Sequence, residues 1–128
     1  LLAYNKPKDR VNAQMWTVVY EQPFEDWFFE LTEFEQIDIV THVNALKKYG
    51  PQLGRPYVDT LKGSKLKNLK ELRVQHAGYP YRILFVFDPK RQAVLLCGGN
   101  KTGDKRFYER MIPIAETSYQ RYLENPHG

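Results

Sequence analysis

The sequence predicts an α+β fold in which two N-terminal helices and a C-terminal helix flank a small antiparallel sheet. Three observations lead to this class. A β-branched and aromatic run precedes two segments of helical periodicity, three strand-like runs with short connections follow, and a helical segment ends the chain. The 128 residues are 42% hydrophobic and 14% aromatic, which suffices for one packed domain. The expected element order is β-α-α-β-β-β-α.

The first elements are a strand and two helices. Residues 15–20 (MWTVVY) predict the strand, and Pro23 suits the first turn of the helix that follows. Thr32 and Glu35 form a capping box that begins the second helix, which is expected to end at Gly50. Its expected buried stripe consists of apolar residues in steps of three: Phe34, Ile37, Val40, Val43 and Leu46.

The second half of the chain is expected to form the sheet. Residues 51–63 predict a loop because glycine and proline punctuate them. Strands are expected at residues 69–76, 81–87 and 93–97, and their short connections predict antiparallel hairpins.

A glycine pair at 98–99 is expected to lead the chain out of the sheet. The last helix is expected to begin near Asp104, to break or restart at Pro113, and to run to about Glu124.

Residues 1–14 differ from the rest because they are polar and lack an amphipathic period. We expect them to be a leader, a tag remnant or an upstream extension, with Met15 as the natural start of one domain over residues 15–128. The chain has no run of 18 apolar residues, which excludes a membrane-spanning helix. Cys97 is the sole cysteine and lies in an apolar run, so we expect a buried, inert thiol in a cytoplasmic protein.

Charge is divided unevenly along the chain. Residues 62–110 carry 12 of the 19 basic residues and four acids, a net charge of +8 beside −4 for the remainder. Because this segment also holds the strand candidates, it predicts a cationic patch on a rigid sheet, for which nucleic acid is the natural partner. The alternative is a solvated surface that only maintains solubility. The two N-terminal helices instead carry seven acids with no basic residue between them: Glu21, Glu25, Asp26, Glu30, Glu33, Glu35 and Asp38.

Strand alternation sorts the basic residues by face. Leu72 and Val74 point to one face and Arg73 to the other, while Arg82 shares its face with Leu84. Arg73 and Arg82 are therefore expected close together on neighbouring strands, where each guanidinium can bind a phosphate through two hydrogen bonds. Further basic residues flank them in sequence: Lys62, Lys65, Lys67, Lys70, Lys101, Lys105 and Arg106.

Such a site has the residue types that RNA cleavage by the ribose 2′-OH requires. Arginines and lysines can stabilise the charge on the phosphate, and a lysine whose pKa is lowered by cationic neighbours can act as a base. Tyr108 could stack on a nucleobase or be a half-buried helix aromatic. His76 could titrate in the site or be a surface histidine at a turn. No zinc spacing, P-loop, nucleophile elbow or dinucleotide motif is present, so no metal or cofactor is expected.

Residues 50–116 resemble the phage-type HigB branch of the RelE/ParE toxins. The most specific motifs are LKNLKELR at 66–73, YRILFVFD at 81–88 and NKTGDKRFYE at 100–109, and the similarity extends upstream to about Met15. The resemblance implies a bacterial toxin that cleaves messenger RNA, typically on the translating ribosome, and that a helix-turn-helix (HigA-like) antitoxin holds inactive. The alternatives are a ParE-like toxin that inhibits DNA gyrase and a nucleic-acid-binding module without catalysis.

The resemblance also implies roles for individual residues. Arg73 matches the arginine placed against the scissile phosphate, and Lys65 and Lys67 fall where lysines act as base or neutralise the phosphate. Lys101 falls near a basic position after the last strand, and Tyr108 near the tyrosine that stacks on the substrate base. The region 119–124 lacks the histidine and aspartate that some HigB toxins carry, which favours Lys, Arg and Tyr chemistry.

Two expectations follow for Arg82 and for the antitoxin. Arg82 matches the family's common YR pair, where a structural role is the alternative to RNA contact. An antitoxin would either cover the basic cluster or dock on the acidic helices of residues 24–49. The seven acids without a basic residue between them favour the second route.

Overall fold

The structure is a computed structural model that describes residues 15–125. Its elements are β1 (Thr17–Tyr20), α1 (Gln22–Phe29), α2 (Glu33–Tyr49), a 3-10 turn (Gly50–Gln52), β2 (Val58–Thr60), β3 (Lys70–His76), β4 (Tyr79–Asp88), β5 (Gln92–Asn100) and α3 (Phe107–Glu124). The predicted α+β class is confirmed. The leader expected at residues 1–14 lies outside the described residues.

The five strands form one sheet in the order β1-β5-β4-β3-β2. The predicted hairpins β3–β4 and β4–β5 are present, but the sheet is mixed because β1 pairs in parallel with β5. Strand β2 corrects the prediction of a loop over residues 51–63, since Val58–Thr60 pair with Leu72–Lys70 of β3. A strand of three residues is too short to show an alternating pattern, and β2 follows a turn that contains Gly54 and Pro56.

Strand β5 runs through the glycine pair at which the chain was expected to leave the sheet. A Cβ atom on Gly98 would lie 2.4 Å from the ring of Trp27 in α1, and one on Gly99 would lie 2.9 Å from the ring of Phe107 in α3. The two glycines therefore let helices approach β5 closely from both faces. This contact with Phe107 fixes the start of α3.

Two hydrophobic cores lie on opposite faces of the sheet. Helices α1 and α2 cover one face, with Ile39 and Leu46 packed near Leu72 and Ile83 of the sheet. Helix α3 packs on the other face, mainly against β5 and β4, in a core that includes Leu84 and Phe107. The part of this second face that belongs to β3 is therefore next to α3 rather than beneath it.

Helix α2 begins as predicted, with Thr32 as its N-cap and both hydrogen bonds of the capping box formed. Its predicted buried stripe is partly wrong. Val43 and Leu46 are buried together with Ile39, but Phe34 is 73% exposed, and Ile37 and Val40 are exposed as well. Steps of three residues fall about 60° short of a full turn at 3.6 residues per turn, so the stripe winds off the buried face.

Helix α3 is continuous through Pro113, where a break or restart was expected. Proline removes one backbone hydrogen bond, but buried contacts of Met111 and Ala115 on either side of it hold the helix against the sheet. The helix begins at Phe107 rather than at Asp104. The Asp104 carboxylate accepts a hydrogen bond from the backbone of Arg106, just before the first turn.

Candidate nucleic-acid interface

Arg73 and Arg82 lie directly opposite each other on β3 and β4. Both project to the face that carries α3, because they alternate with Leu72 and Ile83, which belong to the other core. The predicted proximity of these arginines is confirmed. The structure also distinguishes them, because the Arg73 side chain is 34% exposed and that of Arg82 is 13% exposed.

A buried carboxylate that the sequence analysis did not select, Glu71, lies among these side chains and is 3% exposed. Its Oε2 accepts a 3.0 Å hydrogen bond from Nε of Arg73, and its Oε1 accepts a 2.5 Å hydrogen bond from the hydroxyl of Tyr108. The Nε atom of Arg82 lies 3.6 Å from Oε1. One signal was available in the sequence: Glu71 is the sole acid in residues 62–82 and shares the strand parity of Arg73.

Strand β2 contributes a second acid to the site. Oδ2 of Asp59 lies 3.1 Å from Nη2 of Arg73, and Oδ1 lies 3.2 Å from Nε of Arg55. The hydrogen bond from Arg55 is the main reason why the pKa of Asp59 lies below its usual range. The hydrogen bond from Arg73 to Glu71 likewise raises the pKa of the Arg73 guanidinium, which is therefore held charged between two carboxylates.

Arg82 is held differently. Its Nη1 donates a 3.0 Å hydrogen bond to the backbone carbonyl of Tyr81, and most of its side chain is covered. This placement fits the structural alternative for the YR pair better than direct contact with RNA. Arg73 is the more accessible guanidinium of the pair.

Tyr108 stands at the border of an open cavity of about 510 Å³, which Lys101 and Lys105 also line. The ammonium of Lys101 lies 5.5 Å from the centre of the Tyr108 ring. Burial, and then the hydrogen bond to Glu71, raise the pKa of the Tyr108 hydroxyl to about 12. The hydroxyl is therefore protonated at neutral pH and cannot serve as a base, whereas the half-buried ring can contact a nucleobase.

The loop before β3 is attached to the helix that carries Tyr108. Oε2 of Glu116 in α3 accepts hydrogen bonds from the backbone N–H of Lys65 at 2.7 Å and from the hydroxyl of Ser64 at 2.8 Å. Leu66 packs against the core beneath α3. The backbone of the loop is thus held against α3, while the side chains of Lys65 and Lys67 are exposed to solvent. Lys62 is exposed in the same loop.

Two predicted RNA contacts lie on the opposite face of β3. Lys70 has the strand parity of Leu72, and its ammonium donates a 2.9 Å hydrogen bond to the hydroxyl of Thr60 in β2. Nδ1 of His76 lies 2.5 Å from Oδ2 of Asp38 in α2. The structure therefore does not bring Lys70 or His76 to the Arg73 side, because each lies an even number of positions along the strand from Leu72.

At the start of α3 the predicted basic residues divide between the cavity and the surface. Lys105 lines the cavity. Arg106 is largely exposed and lies 3.4 Å from a carboxylate oxygen of Glu109.

Cys97 is buried as predicted, and burial raises the pKa of its thiol to about 12. Within residues 15–125, no group of three or more His, Cys, Asp or Glu side chains is arranged to hold a metal ion. Nor does any helix in this range have the length and apolarity needed to cross a membrane.

Comparison with known proteins connects this arrangement to a family. Residues 26–120 match the family described as phage derived protein Gp49-like. A Mycobacterium tuberculosis protein named as toxin HigB3 is 46% identical over 105 residues, which are 81% of this chain and 90% of that protein. A second protein of that organism, named as toxin HigB2, is 45% identical over 83 residues, or 63% of this chain and 41% of that protein.

Solved structures of more distant proteins share the fold. The RelBE2 toxin–antitoxin complex of Mycobacterium tuberculosis contains a chain that matches 68% of this one over 99% of its own length, with a TM-score of 0.53 and 16% identity. A mutant of the E. coli toxin RelE in the free state matches 84% of this chain over 98% of its own, with a TM-score of 0.55 and 7% identity. The fold and the sequence relatives agree with the family resemblance that the motifs at 66–73, 81–88 and 100–109 indicated. The chain therefore belongs to the phage-derived Gp49-like family, as a HigB-type toxin with the RelE fold.

Proposed function

We propose that this toxin is a metal-independent endoribonuclease that cuts messenger RNA on the translating ribosome, in the cytoplasm. The observation that carries the proposal is the setting of Arg73. Its guanidinium is partly exposed and held by a buried carboxylate, and the same carboxylate binds the tyrosine beside Lys101 and Lys105. Such a site can bind a phosphate and an adjacent base together.

The chemistry follows from general requirements of RNA cleavage. The ribose 2′-oxygen attacks the adjacent phosphorus, the bond from phosphorus to the 5′-oxygen breaks, and the products are a 2′,3′-cyclic phosphate and a 5′-hydroxyl. Arg73 would stabilise the charge that develops on the phosphate. Lys65, Lys67 or Lys101 would accept the 2′ proton, since Tyr108 is held protonated. A neighbouring ammonium would protonate the leaving oxygen.

The proposed partner is an antitoxin of the helix-turn-helix (HigA-like) class. One of the solved neighbours is a toxin–antitoxin complex. On the present chain, an apolar surface on α1 and α2 is available for a protein partner, on the side of the sheet opposite to Arg73. Its exposed residues are Phe29, Phe34, Ile37 and Val40.

Induced expression tests the proposal. Cells that make the toxin should stop growing, transcripts should acquire new ends within translated regions, and co-expression of the antitoxin should restore growth. Arg73→Ala should lose these effects, whereas Arg55→Ala, which removes an exposed arginine that also pairs with Asp59, should keep them. Growth arrest with intact transcripts and altered plasmid supercoiling would instead favour inhibition of gyrase.

A further inference from the structure

The site contains a charge arrangement that needs an explanation. Arg73 and Arg82 are direct cross-strand partners, and like charges in that position destabilise a sheet. The carboxylate of Glu71 lies within 3.6 Å of both Nε atoms and is almost completely buried. A buried charge is tolerated when it is paired and hydrogen-bonded, and here Glu71 is hydrogen-bonded to Arg73 and ion-paired with Arg82.

The same carboxylate reaches a different element. Tyr108 belongs to α3, and its hydroxyl donates to Oε1 of Glu71, while Arg73 donates to Oε2. The two oxygens of one side chain thus bind a residue of the sheet and a residue of the helix. The distance between the phosphate-binding guanidinium and the ring beside Lys101 is set by this bridge.

We infer that Glu71 is the positioning residue of the site, which orients Arg73 toward the phosphate and Tyr108 toward the adjacent base without touching the RNA. This inference rests on the proposed function. Because Glu71 is 3% exposed and covered by the residues it binds, it cannot reach the substrate itself. Its effect must pass through Arg73 and Tyr108.

The decisive experiment is a double-mutant cycle in single-turnover cleavage of messenger RNA on ribosomes. Glu71→Gln keeps the size of the side chain but places an amide donor against two existing donors. We expect the cleavage rate to fall on the order of 10²-fold, as misplaced catalytic groups can cause. In an Arg73→Ala background the same change should alter the remaining rate by less than about tenfold, because only the route through Tyr108 remains and the effects of substitutions at contacting residues are not additive.

Matched variants separate positioning from a loss of structure. Glu124→Gln removes an equal charge from an exposed position at the end of α3 and should leave the rate unchanged. Tyr108→Phe keeps the ring and the arginine contacts but loses the hydroxyl bond, so it should raise KM severalfold with little change in melting temperature. This variant tests the inference even if Glu71→Gln does not fold. Parental KM in a folded Tyr108→Phe protein would overturn the inference.

A measurement without RNA distinguishes this inference from the proposed function. The Nε proton of Arg73 should exchange slowly with water in the parent, and at least tenfold faster in Glu71→Gln, when followed by NMR. Slow exchange in a toxin that never cleaves RNA would contradict the proposed function and leave the placement of Arg73 intact. Unchanged exchange in folded Glu71→Gln, or a rate loss of equal size in both backgrounds of the cycle, would overturn the role of Glu71.

Discussion

Asp59 of β2 and Arg73 of β3 are joined by a 3.1 Å ion pair at the edge of the sheet. The pair occupies Nη2 of the guanidinium, one of the atoms that would grip a phosphate. The two side chains are 24% and 34% exposed, so a phosphate can reach the same atom from solvent. Under the proposed function, Asp59 would compete with RNA for Arg73, while Glu71 holds the other edge of the guanidinium.

Asp59→Asn should strengthen RNA binding. Exposed ion pairs contribute little free energy, so we expect KM for cleavage to fall by no more than about fivefold, with kcat nearly unchanged. Steady-state cleavage by Asp59→Asn and by Asp26→Asn, an exposed substitution on α1, would provide the comparison. A higher KM for Asp59→Asn would show that the pair orients Arg73 instead of competing for it.

Arg73→Ala should strongly reduce cleavage and preserve the fold. The residue alternates away from the core of Leu72 and Val74, so its truncation opens no apolar cavity. Loss of one group that stabilises the transition state typically costs on the order of 10²–10³ in rate. Thermal melting and single-turnover cleavage would be measured together, with Arg55→Ala as the control. A folded variant that cleaves at the parental rate would remove Arg73 from the site.

The relation of Arg73 to Arg82 was predictable because strand alternation is a local rule. Leu72 and Val74 are apolar and face the core, so Arg73 between them must face the other side of the sheet. The two-residue turn at Ala77 and Gly78 then sets the register that pairs Arg73 with Arg82. The same rule places Lys70 and His76 on the other face, because they share the parity of Leu72. Charge and closeness in sequence to Arg73 are therefore a poorer guide to the site than strand parity.

Other features could not be predicted because they depend on tertiary contacts. The role of Glu71 depends on its hydrogen bond with Tyr108 of α3, which is distant in the sequence. The three residues of β2 form a strand because β3 offers an edge to pair with. Pro113 stays within a helix because the packing of α3 outweighs one lost hydrogen bond. In each case, contacts with residues that are distant in the sequence determine the local structure.

The lysines of the loop before β3 and of the cavity should bind RNA through its backbone. For single strands, the logarithm of affinity falls with the logarithm of salt concentration by roughly 0.7 for each phosphate contact. Lys67→Ala and Lys101→Ala should each lower that slope by about this amount, whereas Lys48→Ala on the opposite helix should not. Binding of a short single-stranded RNA across a salt series measures the slope. Equal slopes for all three variants would contradict the assignment.

Stability should fall in alkaline solution because several tyrosines, Tyr81 and Tyr108 among them, are held protonated. Burial and hydrogen bonds to Glu35 and Glu71 raise the pKa values of Tyr81 and Tyr108, respectively, to about 12. In the unfolded chain a tyrosine ionises near about 10, so the folded state binds more protons between these values. The free energy of unfolding should therefore be fully retained below about pH 10 and decrease from there to about pH 12.

Urea unfolding across this alkaline range checks the effect. Tyr81→Phe should reduce the dependence of stability on pH, and Tyr57→Phe, a substitution of an exposed tyrosine, should retain it. A parental dependence in the Tyr81→Phe variant would show that other groups cause the alkaline loss.

The exposed apolar surface of the acidic helices is the expected binding site of the antitoxin. The acidic helices carry exposed apolar side chains that the sequence pattern assigned to the core, among them Phe34 and Ile37. A groove of about 230 Å³ between α1, α2 and β1 lies in the same region and is lined by Phe24, Phe28 and Val40. Contiguous exposed apolar surface on a small protein is typical of a binding site for another protein.

Substitution on this surface should separate inhibition from catalysis. Phe34→Ser combined with Ile37→Ser should weaken antitoxin binding by at least tenfold, since burial of one such side chain contributes roughly 1.5–3 kcal/mol. RNA cleavage should be unchanged, because these residues lie on the α2 side of the sheet and Arg73 on the other. Lys65→Ala should show the opposite behaviour, with parental antitoxin affinity and reduced cleavage. If Lys65→Ala instead weakens the antitoxin while the double serine variant binds it normally, the antitoxin covers the basic face and competes directly with RNA.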